Sequence, residues 1–140
     1  MKKITPISTF SAVAFAAALI LSLSTPPAGA EQCVAGVQAL NGWAGAISGN
    51  ANQWPANARK AGFQVDHTPE AGAVIVYPPT YGRGINATYG HVAVIVDAGT
   101  DKQGMITIKD SNGVCKGNRK QCKVRQPIWN KVWVIHPPKK

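Results

Sequence analysis

A cysteine, a histidine and an acid or amide follow one another along the chain at Cys33, His91, Asp110 and Asn112, and residues of these types can together perform nucleophilic thiol chemistry. A thiol is mostly protonated at neutral pH, so it needs help to become a nucleophile. A helix N-terminus and a neighbouring imidazolium both favour the thiolate. A carboxylate or amide can in turn hold the imidazole with the correct nitrogen facing the sulfur. Each residue alone has an ordinary structural explanation: a small buried hydrophobe, a strand-end histidine, a turn acid ahead of Asn112-Gly113. In combination they fill every role that the chemistry requires.

Cys33 is the odd member of three cysteines. Cys115 and Cys122 are near enough in sequence to pair, and two cysteines without further ligands nearby make a poor zinc site, so they are expected to form a disulfide. That pairing presumes export. Lys2 and Lys3, an apolar run from about Phe10 to Leu23, Pro26-Pro27 and then Ala28-Gly29-Ala30 follow the order of a secretory signal, with cleavage after Ala30. The run is shorter than the roughly 20 apolar residues that span a bilayer, and Cys33 follows Glu31-Gln32 rather than a small residue, which argues against a lipid anchor. Residues 31–140 are therefore expected to act in secreted or periplasmic form, as one domain and as a monomer.

Fifteen Lys and Arg stand against six acidic residues in the 140-residue chain, a formal charge of +9 that becomes +7 once Lys2 and Lys3 are removed. Lys116, Arg119, Lys120, Lys123, Arg125, Lys131, Lys139 and Lys140 crowd the last quarter. Such a patch suits an anionic envelope polymer, or is simply a solvated face. No nucleic-acid module accompanies it, so nucleic acid is not an expected partner.

The elements that must position these groups fall into two halves. Gln32 to Leu40 carries an apolar helical face through Val34, Val37 and Leu40, ended by Asn41-Gly42, and Pro55 opens a second short helix that stops at Gly62. Beyond Gly72 the runs 73–77, 91–96, 105–108 and 132–135 are rich in branched residues and separated by turn clusters, which predicts an antiparallel sheet. The segment from Pro78 to Gly90 is long for a hairpin loop and is expected to frame a site. A hairpin symmetric about Thr100-Asp101 would set His91 directly opposite Asp110, and Asp110 shares the phase of Ile106 and Ile108, so its carboxylate points inward.

With these residues in view, the chain resembles the CHAP family of cysteine- and histidine-dependent amidohydrolases and peptidases, of the papain-like superfamily. The matching stretches are Gln32-Cys33, Gly49-Asn50-Ala51-Asn52-Gln53-Trp54, Ala61-Gly62-Phe63-Gln64-Val65 and Pro69-Glu70-Ala71-Gly72-Ala73-Val74. Then come Gly90-His91-Val92-Ala93, Ile106 through Asn112, and Val134-Ile135-His136-Pro137. The resemblance implies an α+β papain-like fold, with N-terminal helices carrying the cysteine packed on a small antiparallel sheet that carries the histidine and the acid or amide. It implies Cys33 as nucleophile, His91 as general base, Asp110 and Asn112 as orienting residues, and no metal or other cofactor. The implied substrate is bacterial peptidoglycan, cut at the N-acetylmuramoyl-L-alanine bond or within its peptides. The backbone amide of Cys33, with Gln32, is the expected oxyanion donor, and Trp54 and Tyr89 the expected substrate contacts. The chain departs from the family in having Asp110 where Glu is usual and Val34-Ala35-Gly36 where aromatics follow the cysteine. Which of Asp110 and Asn112 orients His91 is left open by the residues. The competing classes are a catalytically silent basic wall-binding module and a cysteine amidohydrolase acting on another substrate.

Overall fold

The computed structural model of the protein describes residues 32–82 and 84–139. The expected leader with its cleavage point at Ala30, and the terminal Lys140, lie outside the described residues. Helix α1 (Cys33–Leu40) starts at Cys33, with Gly36 N–H donating to Gln32 O at 2.9 Å as its first turn. Helix α2 (Trp54–Lys60) is opened by Pro55, whose missing N–H costs nothing in a first turn, and closes toward Gly62 at φ 89°.

Six strands follow: β1 (Val65–Asp66), β2 (Val74–Tyr77), β3 (His91–Asp97), β4 (Met105–Asp110), β5 (Lys120–Arg125) and β6 (Trp133–Ile135). They form one antiparallel sheet in the order β1-β6-β2-β3-β4-β5. The expected α+β architecture is the observed one. β2 and the first part of β3 read as unbroken apolar runs because the central sheet is buried on both faces. Val74, Val76, Val92, Val94 and Ile135 meet Val37, Ile47, Trp54 and Ala58 of the helical half. Ile75, Ala93, Ile95, Ile106, Ile108 and Val134 form the opposite face, covered by loop residues that include Tyr81, Val114 and Trp129.

Two strands escaped the sequence reading. β1 has only two residues, held by its pairing with β6. β5 is an edge strand whose side chains are exposed except for the half-buried Cys122 and Val124, so it lacks an apolar run. Its lysines suit an edge, since charge there discourages pairing with another chain.

The symmetric hairpin is also corrected. β3 and β4 pair Val94 with Lys109 and Ile95 with Ile108, so continuing the count sets Ala93, not His91, opposite Asp110. The turn is centred later than Thr100-Asp101, partly because the Asp101 carboxylate gathers the N–H groups of Gln103 and Met105, both at 2.9 Å. A bulge between Ile95 and Asp97 gives one residue back. The net slip is two residues, an even number, so Asp110 stays on the predicted face.

Cys115 and Cys122 form a disulfide with Cα atoms 5.4 Å apart, joining the loop after β4 to β5, and Cys33 is free. Closing so short a loop stabilises by about 2 to 3 kcal/mol through the restricted unfolded chain. A Cys115→Ser/Cys122→Ser variant is therefore expected to lose that amount in urea unfolding. An unchanged midpoint and slope would show that the bond contributes nothing.

Candidate active site

His91 begins β3 because Gly90, at φ 74°, brings the chain in beneath Tyr77, where a Cβ would lie 2.4 Å from the Tyr77 carbonyl. His91 is only 3% exposed, and its Nε2 lies 2.7 Å from Oδ2 of the fully buried Asp110. That carboxylate also accepts the N–H of Val114 at Oδ2 (2.9 Å) and of Cys115 at Oδ1 (3.1 Å). Since a carboxylate accepts only, Nε2 carries a proton, and Nδ1 is the ring nitrogen left to serve another group.

That group is Cys33. Burial pushes its thiol up, but the hydrogen bond with His91, the backbone of Val92, the charge of His91 and the backbone of Val34 outweigh it, and the thiol ends below its ordinary pKa. The same contacts act on the imidazole: burial pulls it down, while Asp110 and Cys33 raise it to about 9. Thiol and imidazole thus favour the thiolate–imidazolium form together. The amides of the first turn of α1 point to the same place, and the Gln32 side chain does not cap them.

The other expected residues fall at different distances from this centre. Asn112 is exposed, at φ 51°, and its N–H donates to Gly117 O; the contact to His91 is made by Asp110. Gln32 is exposed at the cap of α1, beside the thiol. Tyr89 is half exposed, and its carbonyl receives Asn52 N–H, which ties the helical half to the start of β3. Trp54 corrects an expectation: it is fully buried and donates Nε1–H to Gly49 O, so it packs the core and cannot meet a substrate. His67 stacks on Trp133, and His136 is held between Asp66 and Glu70, so each is engaged with other partners.

The sequence reading missed Tyr77 and Gly113. Tyr77 pairs with His91 across the sheet and stacks on its ring at 6.4 Å between centroids. A periodic strand reading marks Tyr77 only as core. Gly113 lies against the other side of the pair: a Cβ there would come within 2.1 Å of His91 Cε1 and 2.9 Å of Asp110 Oδ2. Asn112-Gly113 reads from sequence as a turn, and nothing in it signals this approach. Gly113→Ala must displace the ring, and it is expected to slow alkylation of Cys33 by iodoacetamide at pH 7 about tenfold or more. Equal alkylation rates would mean that the ring does not control the thiol.

The family model for the CHAP domain matches residues 24–112, a stretch that includes Cys33, His91, Asp110 and Asn112. The chain belongs to the CHAP family. A Streptococcus mutans protein named as a hydrolase is 34% identical over 89 residues, covering 64% of this chain and 37% of that protein. A Staphylococcus aureus protein named as the autolysin LDP is 38% identical over 68 residues, covering 49% of this chain and 21% of its own length. Among solved structures, an N-acetylmuramoyl-L-alanine amidase from Staphylococcus aureus superposes with a TM-score of 0.56 at 26% identity, over 74% of this chain and 29% of that one. The chain thus spans well under half the length of each. The disulfide and β5 lie beyond the residues that the CHAP model matches.

Proposed function

We propose that the protein is a peptidoglycan hydrolase that opens an amide bond through Cys33. The observation that carries this reading is the continuous chain of contacts from Cys33 to His91 to the buried Asp110, in a member of the CHAP family. The named autolysin and the named muramoyl-alanine amidase among its relatives favour the cell wall as the target.

In this scheme the Cys33 thiolate attacks the carbonyl carbon, and the resulting oxyanion is met by the Cys33 N–H, with the Gln32 side chain in reach. The His91 imidazolium gives a proton to the leaving nitrogen, the C–N bond breaks, and an acyl thioester remains on Cys33. Water then loses a proton to His91, attacks the thioester and releases the acid, and Cys33 regains its thiolate. Asp110 holds the ring through Nε2 throughout. Thiolate attack on a carbonyl requires no metal. The leader expected to end at Ala30 would deliver the chain outside the cytoplasm, where this substrate lies.

Incubation of purified peptidoglycan with the protein is expected to release new amino and carboxyl ends without new reducing sugar ends, read by mass analysis of the soluble products. Binding to the wall without any bond cleavage would replace this reading with that of a wall-binding module. Cleavage confined to other amides would move it to a non-wall substrate.

The rate should also report the ion pair. Protonation of a thiolate with a lowered pKa sets the acid limb of kcat/KM, and loss of the imidazolium proton sets the alkaline limb, close to pH 9. Activity therefore rises as pH climbs through the thiol's pKa and falls as it passes about 9. A profile still rising at pH 10 would sink the ion pair as the working form.

A further inference from the structure

A cavity of about 830 Å³ opens beside the His91–Asp110 pair, on the sheet face away from the α1 helix. Two of its lining residues touch that pair. Tyr77, whose ring stacks on His91, forms part of its wall, and so does Val114, whose N–H donates to Asp110. Val124 of β5 continues the apolar surface, and Ile128 stands at it 58% exposed. A concave site of this size, with an apolar wall and a few polar groups at its margin, has the usual form of a ligand pocket.

Two cations determine what that occupant is. Arg125, at the end of β5, and Lys131, in the turn before β6, both line the groove and are exposed. Neither is drawn into an ion pair among the described residues, and no carboxylate lines the groove among them. An apolar surface flanked by a guanidinium and an ammonium complements a peptide that bears carboxylates.

We propose that this groove is a substrate subsite which binds a carboxylate-bearing stretch of peptide through Arg125 and Lys131, beside the His91–Asp110 pair. The inference rests on the hydrolase reading above and adds to it the residues that select the substrate. Val114, Val124, Arg125, Ile128 and Lys131 all follow residue 112, where the family match ends. The disulfide sets the groove's geometry, because it ties the loop that carries Val114 to the strand that carries Val124 and Arg125.

The test separates binding from turnover. The probe is an acetylated tetrapeptide of alanine, glutamate, lysine and alanine with free carboxylates, compared with its fully amidated form, titrated calorimetrically into the Cys33→Ala protein. The free acid is expected to bind about tenfold more tightly or better, and Arg125→Ala/Lys131→Ala to erase that preference while Arg125→Lys retains most of it. Both sites are exposed, so the double variant should fold normally. In a chain that keeps Cys33, the double variant is expected to raise KM on peptidoglycan about tenfold and leave kcat within about twofold. Equal binding of the two peptides, or a preference that survives the double variant, overturns the proposal. A retained preference in a protein that releases nothing from peptidoglycan upholds the groove and overturns the hydrolase reading alone.

Discussion

Cys33→Ala is expected to lower the rate of peptidoglycan hydrolysis by about 10⁴-fold or more and to leave the fold intact. Without the sulfur there is no covalent intermediate, and no other thiol can substitute, because Cys115 and Cys122 are joined to each other. Cys33 is only partly buried at the first position of α1, so removing one atom costs little packing. Cys33→Ser should be nearly as inactive, since a hydroxyl does not ionise beside His91 as a thiol does. A second readout comes from the histidine. Its pKa of about 9 owes part of its rise to Cys33, so the imidazole signals in the alanine variant are expected to titrate at lower pH. Substantial residual hydrolysis in the alanine variant would remove Cys33 from the mechanism, whatever the histidine does.

Asp110→Asn is expected to cost between about 10² and 10⁴ in kcat, as wrong presentation of a catalytic histidine does elsewhere. The physical reason lies in the count of acceptors. Asp110 receives three N–H groups on two oxygens: His91 and Val114 on one, Cys115 on the other. An asparagine has one oxygen and one NH₂, and in either orientation the NH₂ faces a donor. If it faces Cys115, the loop loses a bond; if it faces His91 and Val114, the ring turns over or moves away. The alkaline limb of the rate profile should move to lower pH as well, because a neutral amide no longer supports the imidazolium. Asn112→Ala is the discriminating comparison. Its side chain is exposed in a turn at positive φ, so the change is expected to leave kcat within about threefold. A loss at Asn112 equal to that at Asp110 would transfer the orienting role between them.

The two halves of the fold were legible for different reasons. Pro55 and Gly62 bound α2 through their own backbone restrictions, and branched runs mark β2, β3 and β4 because strands buried on one or both faces leave that pattern. β5 left none, because an edge strand needs only backbone pairing, and six such pairs to β4 hold a stretch of mostly polar and charged side chains in place. Trp54 misled for a related reason: a tryptophan beside a groove in sequence reads as a platform, but the apolar mass of the ring is worth more in the core, where Gly49 O satisfies its N–H.

The inward phase of Asp110 with Ile106 and Ile108, the odd cysteine, and the order of thiol, imidazole and acid were all present in residue types and spacing, since alternation and pairing are properties of the chain's local chemistry. The register that brings Asp110 to His91 was not, because it depends on the bulge in β3 and on where Asp101 closes the turn, small local choices summed along the hairpin. The approach of Gly113 to the ring, the stacking of Tyr77 on it, and the lining of one groove by Tyr77 together with Arg125 join residues distant in sequence. Contacts of that kind arise only when the packed sheet and the disulfide loop bring separate segments together, and no local pattern records them.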